Sequence, residues 1–356
     1  MKERIYVCHT YYHVYVTFLK EFALSVEKRG QATVVLSRMS TDFENLKDRL
    51  ERTGFFEEVL WFDEKRFTEF PELMELHRDR GNILKNLPAR IRFTRRYAQL
   101  EEPYIPVDFS QYGDVYVFCD SDPIGYYLNY RHIRYHALED GLNCLKIFDA
   151  ARVDNRGCFR LKALLASWNL IFIQNGYSKY CIDMEINDSD CLKYDCKKYV
   201  VVPRTQLEER LTAEEKKMLV DAFMENAQEF GKQLSESDGT KKNVLILTEK
   251  LCSDEVRKKM MEDIIRQYAD GCRVFIKPHP MDHLDYGTLF PEHIVLKGRF
   301  PLEVMKYIEG VHFHRAVAIL TQAIESMDFV DEKIFLGKSF LDAYEEPSLH
   351  SFNDVI

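Results

Sequence analysis

The length, composition and charge of the chain exclude several classes of protein. Its 356 residues are too many for one typical hydrophobic core and suit two domains of ordinary size. With 46% apolar and 30% charged residues, the composition is that of a folded globular protein. The net charge of −9 argues against a nucleic-acid binder, which normally presents a basic surface to the phosphates.

The cysteines and the apolar segments indicate the compartment. The nine cysteines are scattered and no two have the Cys-x-x-Cys spacing of a zinc or redox site, so we expect reduced thiols in a cytoplasmic protein. The longest apolar stretch, residues 161–173, contains Lys162 and Asn169 and is too short to cross a bilayer. Polar residues recur throughout residues 1–22, which argues against a secretory signal.

Two series of strand-like segments alternate with helical patterns along the chain. The first series consists of β-branched and aromatic runs at 5–9, 33–37, 59–62, 115–119, 133–138 and 199–202. The second consists of similar runs at 244–248, 273–277, 294–296, 317–320 and 334–336. Helical patterns fill the gaps, as at 12–27 and 255–268. Strands separated by helices predict parallel sheets covered on both faces.

A helix and a polar linker are predicted between the two series. Thr212 and Glu215 have the spacing of a capping box at the start of a helix over 212–234. The polar, turn-rich residues 235–240 follow and are typical of a linker.

We therefore predict an α/β protein with two doubly wound Rossmann-type domains, 1–234 and 241–356. Ligands of such sheets bind at the carboxyl ends of the strands, and we expect them here in the cleft between the domains. The sequence has neither a Gly-x-Gly-x-x-Gly motif after the first strand nor a Walker loop, so the interpretation as a dinucleotide-binding or P-loop protein lacks its main sequence motif.

Glu139, Asp140 and Gly141 come directly after the predicted strand 133–138. The glycine permits a sharp backbone turn, and the turn leaves a carboxylate in the cleft for acid or base chemistry. The alternative is an ordinary polar turn between a strand and a helix.

The segment Lys277-Pro278-His279-Pro280 ends the strand 273–277. Two prolines restrict the backbone around the histidine and so present its ring rigidly. A cationic His279 beside Lys277 suits a phosphate leaving group, and an ordinary turn is again the alternative.

Two further candidates lie in the second domain. Glu303, two residues after a proline, stands at the predicted start of a helix and suits a ribose diol. Thr321 directly follows the strand 317–320, where a hydroxyl and the free N–H groups of a helix N-terminus form an anion site. Alternatively, Thr321 is only an N-cap.

The first domain has two more polar clusters after strands. One is the segment His9, Thr10 and Tyr11, followed by Tyr12 and His13, and the other is Asp120-Ser121-Asp122. The residues of these two clusters could contact the substrate, or they could only pack against the following helix or cap it. With Thr321 counted among them, five polar clusters fall at carboxyl ends of predicted strands, and folding alone gives no reason for that concentration.

These motifs resemble those of the bacterial sialyltransferases of the GT-B fold. A Glu-Asp-Gly motif in the first domain, a His-Pro motif in the second and a later threonine are most similar to glycosyltransferase family 52, the lipooligosaccharide and capsular sialyltransferases. The resemblance extends in order and spacing over the whole chain. It implies transfer of sialic acid from CMP-sialic acid to a glycan hydroxyl with inversion, with the acceptor on the first domain and the donor on the second.

Carried over residue by residue, the resemblance implies Asp140 as general base and His279 as general acid and ligand of the CMP phosphate. Glu303 would hold the donor ribose and Thr321 the phosphate. The other donor-binding candidates are Lys277, Pro280 and Thr248. The remaining candidates for substrate contact are His9, Thr10, Tyr11, Glu139, Gly141 and Asp122.

No metal cofactor is expected, because one imidazolium and a helix terminus can neutralise a single departing phosphate. Asp120 and Asp122 nevertheless have Asp-x-Asp spacing. The expected partners are a CMP-sugar donor and an oligosaccharide or glycolipid acceptor; a homodimer stays open.

Other functions fit the same scaffold. A GT-B transferase could use CMP-Kdo or a UDP-hexose, a sugar-nucleotide epimerase would need no acceptor, and a non-catalytic relative would only bind carbohydrate. A group of basic residues also stands out in the acidic chain: Lys85, Arg90, Arg92, Arg95 and Arg96. Either they contact an anionic membrane surface, or they form a solvated helix face paired with Glu101 and Glu102.

Overall fold

The structure is a computed structural model that describes residues 1–118, 120, 122–141, 145, 157–190, 192, 196–235, 241–280, 282–296 and 298–350. The chain divides into two compact units, Met1–Glu215 and Lys216–Ile356. The division falls ahead of the predicted linker, and residues 236–240 of that linker lie outside the described residues.

Unit 1 is built on a seven-stranded sheet with the order β3-β2-β1-β4-β5-β6-β7, in which every adjacent pair is parallel. Its strands are β1 (Lys2–Cys8), β2 (Ala32–Ser37), β3 (Glu58–Phe62), β4 (Tyr112–Phe118), β5 (Tyr135–Leu138), β6 (Cys181–Ile186) and β7 (Tyr199–Val201). Every residue of β2 is buried, because helices cover both faces of the sheet.

The described helices of unit 1 connect these strands. They are α1 (Tyr11–Phe22), α2 (Leu46–Thr53), α3 (Pro71–His77), α4 (Ile83–Glu101), α5 (Asp122–Tyr130), α6 (Phe159–Ser167) and α7 (Arg204–Glu208). The strand order reverses between β1 and β4, so a crevice opens where their carboxyl ends diverge.

Unit 2 repeats the plan with a five-stranded parallel sheet of order β10-β9-β8-β11-β12. Its strands are β8 (Asn243–Leu247), β9 (Arg273–Lys277), β10 (Ile294–Val295), β11 (Phe313–Ala318) and β12 (Val330–Phe335). Its described α-helices are α8 (Ala213–Phe223, which begins in unit 1), α9 (Ala227–Ser235), α10 (Asp254–Tyr268), α11 (Tyr286–Leu289) and α12 (Lys338–Asp342). The order reverses here between β8 and β11.

The two parallel sheets confirm the predicted α/β architecture. The capping box is also confirmed: the Thr212 N–H donates to Glu215 Oε2 at 2.7 Å and the Glu215 N–H to Thr212 Oγ1 at 3.2 Å. The prediction of a single helix over 212–234 is wrong, because the helix is interrupted between Phe223 and Ala227 and two helices, α8 and α9, form instead.

The strand β6 was missed because its sequence, Cys-Ile-Asp-Met-Glu-Ile, mixes acidic and apolar residues. Those acids have partners in neighbouring elements: Asp183 bonds His136 of β5 at 2.8 Å, and Glu185 accepts from Lys20 of α1 at 2.5 Å. Within the described part of the chain, no helix is both long enough and apolar enough to cross a membrane.

Candidate functional site

The switch point of the first sheet brings together two residues that are far apart in the sequence. His13 lies in the first turn of α1, just after β1, and Asp140 lies in the turn that follows β5. His13 Nε2 and Asp140 Oδ1 are hydrogen-bonded across 127 positions of the chain. The predicted Glu139-Asp140-Gly141 turn and the predicted His9–His13 segment therefore meet.

The local sequence fixes the orientation of His13. Thr10 is the N-cap of α1, and its hydroxyl accepts the His13 N–H at 3.2 Å. His13 Nδ1 accepts the backbone N–H of His9 at 2.9 Å, and the imidazole stacks on Phe118 at the end of β4, with ring centroids 3.9 Å apart. Since Nδ1 is an acceptor, the ring proton is on Nε2, which donates to Asp140.

The electrostatics of this pair favour a neutral imidazole. Burial lowers the pKa of His13, and this effect outweighs the opposing attraction of the Asp140 charge. His13 therefore holds Asp140 by a hydrogen bond and does not neutralise it. The His13 side chain is 2% exposed and that of Asp140 is 40% exposed, so the carboxylate is held by a buried residue and is itself partly exposed to solvent.

The two adjacent carboxylates of the turn have different environments. Glu139 is buried and Oε2 accepts the Asn187 N–H at 2.6 Å. Burial raises the pKa of Glu139, as expected for a carboxyl group removed from water. Gly141 has φ +112°, a conformation that disfavours other residues. Glu139 and Gly141 thus shape the turn, and Asp140 is the carboxylate that a substrate can reach.

The other predicted residues near β1 have structural contacts. His9 Nε2 bonds the buried Glu64 at 2.6 Å, and Glu64 also accepts from the Ser37 hydroxyl at 2.5 Å and from the Ile124 N–H at 3.1 Å. Tyr11 is buried with its ring packed against Phe43.

Asp120 is a buried structural acid. Its carboxylate accepts from the Tyr135 hydroxyl at 2.8 Å and from the N–H groups of Asn175 and Gly176 at 2.5 and 3.4 Å. Burial raises the pKa of Asp120 to about 7. Both oxygens are thus committed to the fold. Asp122 begins α5, and its side chain is outside what the structure describes.

In unit 2, the Lys-Pro-His-Pro segment is held by a buried acid that sequence reasoning missed. The side chain of Asp282 accepts from Arg257 at 2.7 Å, from the Thr248 hydroxyl at 2.6 Å and from the Tyr286 hydroxyl at 2.7 Å. The Asp282 N–H in turn donates to the His279 carbonyl at 2.8 Å. This network fixes the loop, and no pattern around Asp282 in the sequence signals it.

Thr248 completes that network. Its hydroxyl donates to Asp282 and accepts the His279 N–H at 3.2 Å. The predicted donor-binding Thr248 therefore orients the His279 backbone.

The segment presents two basic side chains in different ways. Lys277 is buried, and its ammonium group lies 3.4 and 3.3 Å from the carbonyl oxygens of Pro278 and Gly298. His279 is exposed. The surrounding chain still lowers the pKa of His279 by displacing water from the ring; Asp282 opposes the shift and the Lys277 charge adds to it. Burial therefore opposes the cationic form of His279 that the sequence analysis considered suited to a phosphate leaving group.

The two expected helix starts in unit 2 are 3₁₀ turns, which corrects the sequence prediction. Glu303 lies in the turn Leu302–Tyr307, and Thr321 caps the turn Gln322–Ser326 by accepting the Ala323 N–H at 3.4 Å. Such short turns have little macrodipole to attract an anion. In addition, Glu249 Oε2 accepts the Leu320 N–H at 2.7 Å, so a carboxylate already occupies this strand end.

The family found by comparison with known proteins covers parts of both units. A sequence model of glycosyltransferase family 52 matches residues 100–336, which is more than half of the chain. An uncharacterised protein of Haemophilus influenzae is 30% identical over an alignment of 100 positions, which covers 25% of this chain and 32% of that protein. The match thus spans about a third of that relative's length.

Solved bacterial sialyltransferases share the fold. An α/β-galactoside α-2,3-sialyltransferase of Photobacterium phosphoreum is 12% identical, with 93% of this chain and 89% of that chain covered and a TM-score of 0.55. The GT-B domain of a Photobacterium damselae sialyltransferase is 12% identical, with 93% and 90% covered and a TM-score of 0.52. A Photobacterium 2,6-sialyltransferase in complex with CMP and lactose is 9% identical, with 96% and 74% covered and a TM-score of 0.54. At these identities the similarity shows the fold alone, and it confirms the predicted GT-B-like architecture.

Proposed function

The chain belongs to glycosyltransferase family 52, and we propose that it transfers sialic acid from CMP-sialic acid to a hydroxyl group of a glycan, with inversion. The membership confirms the resemblance predicted from the short motifs. The observation that carries the proposal is the half-open Asp140 carboxylate, held by a neutral buried His13 at the switch point of the first sheet. The similar sialyltransferase structures, one of them with CMP and lactose bound, support this choice of donor and acceptor class.

Asp140 is proposed as the general base. An inverting transfer needs a group that removes the proton of the attacking hydroxyl, and such catalysis contributes roughly 10²–10⁴-fold. The hydrogen bond from His13 favours the ionised form of the carboxylate and fixes its orientation. A neutral imidazole suits this task, because a charged one would weaken the base.

His279 is proposed as the group that binds the leaving phosphate and donates to it. Burial lowers the pKa of His279 in the free protein, and the negative charge of the bound donor phosphate would raise it again and favour the protonated ring that donates to the departing oxygen. Lys277, two positions earlier in the sequence, adds a buried positive charge. The phosphate role thus rests on side chains of the Lys-Pro-His-Pro segment, and Thr321 and Glu303 remain weaker donor-binding candidates.

The proposal predicts a nucleotide preference. We expect CMP to raise the melting temperature of the protein more than UDP or GDP does, because the motifs resemble those of CMP-sugar transferases. A ligand at 100 times its Kd stabilises the folded state by about 2.7 kcal/mol, which a thermal-shift measurement detects. A clear preference for UDP or GDP would assign the protein another donor, with the fold unaffected.

The proposal also predicts turnover without a divalent metal. The Asp-x-Asp spacing offers no open pair, since both Asp120 oxygens are bonded to Tyr135, Asn175 and Gly176. We expect CMP release on addition of acceptor to continue in EDTA. Complete loss of turnover in EDTA, restored by Mg²⁺ or Mn²⁺, would refute this prediction.

A further inference from the structure

Helix α6 exposes an apolar face that nothing in the described part of the chain covers. Leu161, Leu164 and Trp168 are 46%, 45% and 58% exposed. Leu161 and Leu164 are three positions apart in the helix, and Trp168, directly after the last helical residue, is four positions beyond Leu164, so all three lie on one side. Exposed apolar side chains are normally scattered singly, and a contiguous group on one helix face marks an interaction surface.

Helix α4 exposes a basic face. Lys85, Arg92 and Arg95 are exposed on one side of it, with Leu84 beside them. Among the described residues, no carboxylate lies within ion-pair distance of these three cations, whereas Arg96 is paired with Glu72 at 2.8 Å.

The pairing with Glu101 and Glu102 that the sequence offered as an alternative is wrong. Glu101 is buried and accepts the Lys65 N–H at 3.0 Å, and Glu102 lies 3.4 Å from Arg131. Neither glutamate therefore neutralises the basic face.

The two helices are neighbours in unit 1. Leu87 and Ile91 of α4 pack against the apolar cluster that contains Phe159, Leu165 and Ala166 of α6. Leu87 is one turn from Leu84, and Ile91 is four positions from Arg95, so the basic face borders the side of α4 that contacts the cluster. The helix with the apolar face and the helix with the basic face thus pack on one core.

We propose that this combined surface, the α4–α6 face, binds the surface of an anionic lipid bilayer. Trp and Leu side chains suit the interface between headgroups and acyl chains, and Lys and Arg attract anionic headgroups. The attraction is local, since salt screens charges beyond about 8–10 Å, so it operates in spite of the net charge of −9. A neutral protein partner would explain the apolar face but not the three cations without carboxylate partners.

Vesicle binding tests the proposal directly. We expect the protein to co-sediment with vesicles of phosphatidylcholine mixed with phosphatidylglycerol at least ~10-fold more tightly than with phosphatidylcholine alone, and to be released at high salt. Equal binding to both vesicles, or to neither, would overturn the proposal.

Two variants with matched controls locate the surface. Replacing Lys85, Arg92 and Arg95 together by Gln should remove the preference for phosphatidylglycerol, and Leu164→Gln with Trp168→Gln should weaken binding at least ~10-fold. The controls change the same kinds of exposed residue elsewhere: Lys197, Arg210 and Lys241 to Gln, and Val200 with Val201 to Gln. Equal losses in the controls would contradict the assignment to the α4–α6 face.

Tryptophan fluorescence separates insertion from adsorption. The chain has two tryptophans, Trp61 and Trp168. Brominated lipids should quench the emission of the wild-type protein, and Trp168→Phe should lose that quenching. If the Leu164 and Trp168 changes alter the oligomeric state and leave vesicle binding intact, the face contacts a second copy of the chain and the proposal is wrong.

Turnover on a soluble acceptor should be unchanged in all these variants, so this test is independent of the proposed sialyltransferase reaction.

Discussion

Asp140→Asn should lower kcat by ~10²-fold or more and leave CMP affinity nearly unchanged. Asparagine keeps the size of the side chain and can still accept the hydrogen bond from His13, so the loss reports the missing base. The release of CMP measures kcat, and calorimetry measures the affinity for CMP. Near-normal turnover in a folded Asp140→Asn protein would place the base elsewhere and reduce Glu139-Asp140-Gly141 to a turn.

His13 provides a sharper test of the same pair, because it acts through Asp140. In His13→Gln the amide nitrogen takes the place of Nε2 and can still donate to Asp140, whereas His13→Leu fills the space without a donor. We expect His13→Leu to lower kcat by about 10²-fold through misplacement of the carboxylate, and His13→Gln to recover most of that loss.

The pH profile distinguishes this positioning role from a purely structural one. Without the His13 donor the ionised carboxylate loses a favourable bond, so the acidic limb of kcat/KM should move to higher pH in His13→Leu. An unshifted limb together with equal activity of the Gln and Leu variants would mean that His13 only fills space beside Phe118.

His279→Ala should weaken CMP binding as well as turnover. Removing a hydrogen bond between a charged donor and a phosphate costs about 1.5–3 kcal/mol, or roughly 10–150-fold in affinity. His283→Ala is a matched control, since His283 is an exposed histidine four positions along the chain. If His279→Ala binds CMP as tightly as the wild type, the phosphate role is wrong.

The lowered pKa of His279 adds a pH signature to this prediction. A phosphate dianion stabilises the protonated ring, so CMP affinity should rise as the pH falls through the range in which free His279 begins to take up a proton. The phosphate itself titrates near pH ~6, so the comparison is between wild type and His279→Gln. The wild type should gain more affinity on acidification than the variant, and equal gains would contradict the protonation of His279.

The sequence predicted the sheets well because both are built from buried parallel strands. Segments with a continuous apolar centre, such as 33–37 and 273–277, are distinctive, and the structure has β2 and β9 there. Strand β6 was missed because Asp183 and Glu185 interrupt its apolar pattern. Their partners His136 and Lys20, which are remote in sequence, explain why the strand tolerates these acids.

The sequence singled out the segments that form the candidate site but not the hydrogen-bonded pairs within it. The rule that ligands bind at the carboxyl ends of parallel strands singled out Asp140 and the segment from His9 to His13. Nothing local to either segment shows that His13 and Asp140 share a hydrogen bond, because that depends on the strand order. The support of the His279 loop by Asp282 and Arg257 was missed for the same reason.

The central claim, transfer of a CMP-linked sialic acid, is tested most directly by nuclear magnetic resonance of CMP-sialic acid with and without a glycan acceptor. A panel that includes lactose and lipooligosaccharide-type oligosaccharides supplies the acceptors, and a UDP-hexose is followed in parallel. We expect CMP release that depends on acceptor, and a sialylated product whose anomeric configuration is opposite to that of the donor. Conversion of the UDP-sugar without any acceptor, while CMP-sialic acid stays intact across the panel, would contradict the account and indicate an epimerase.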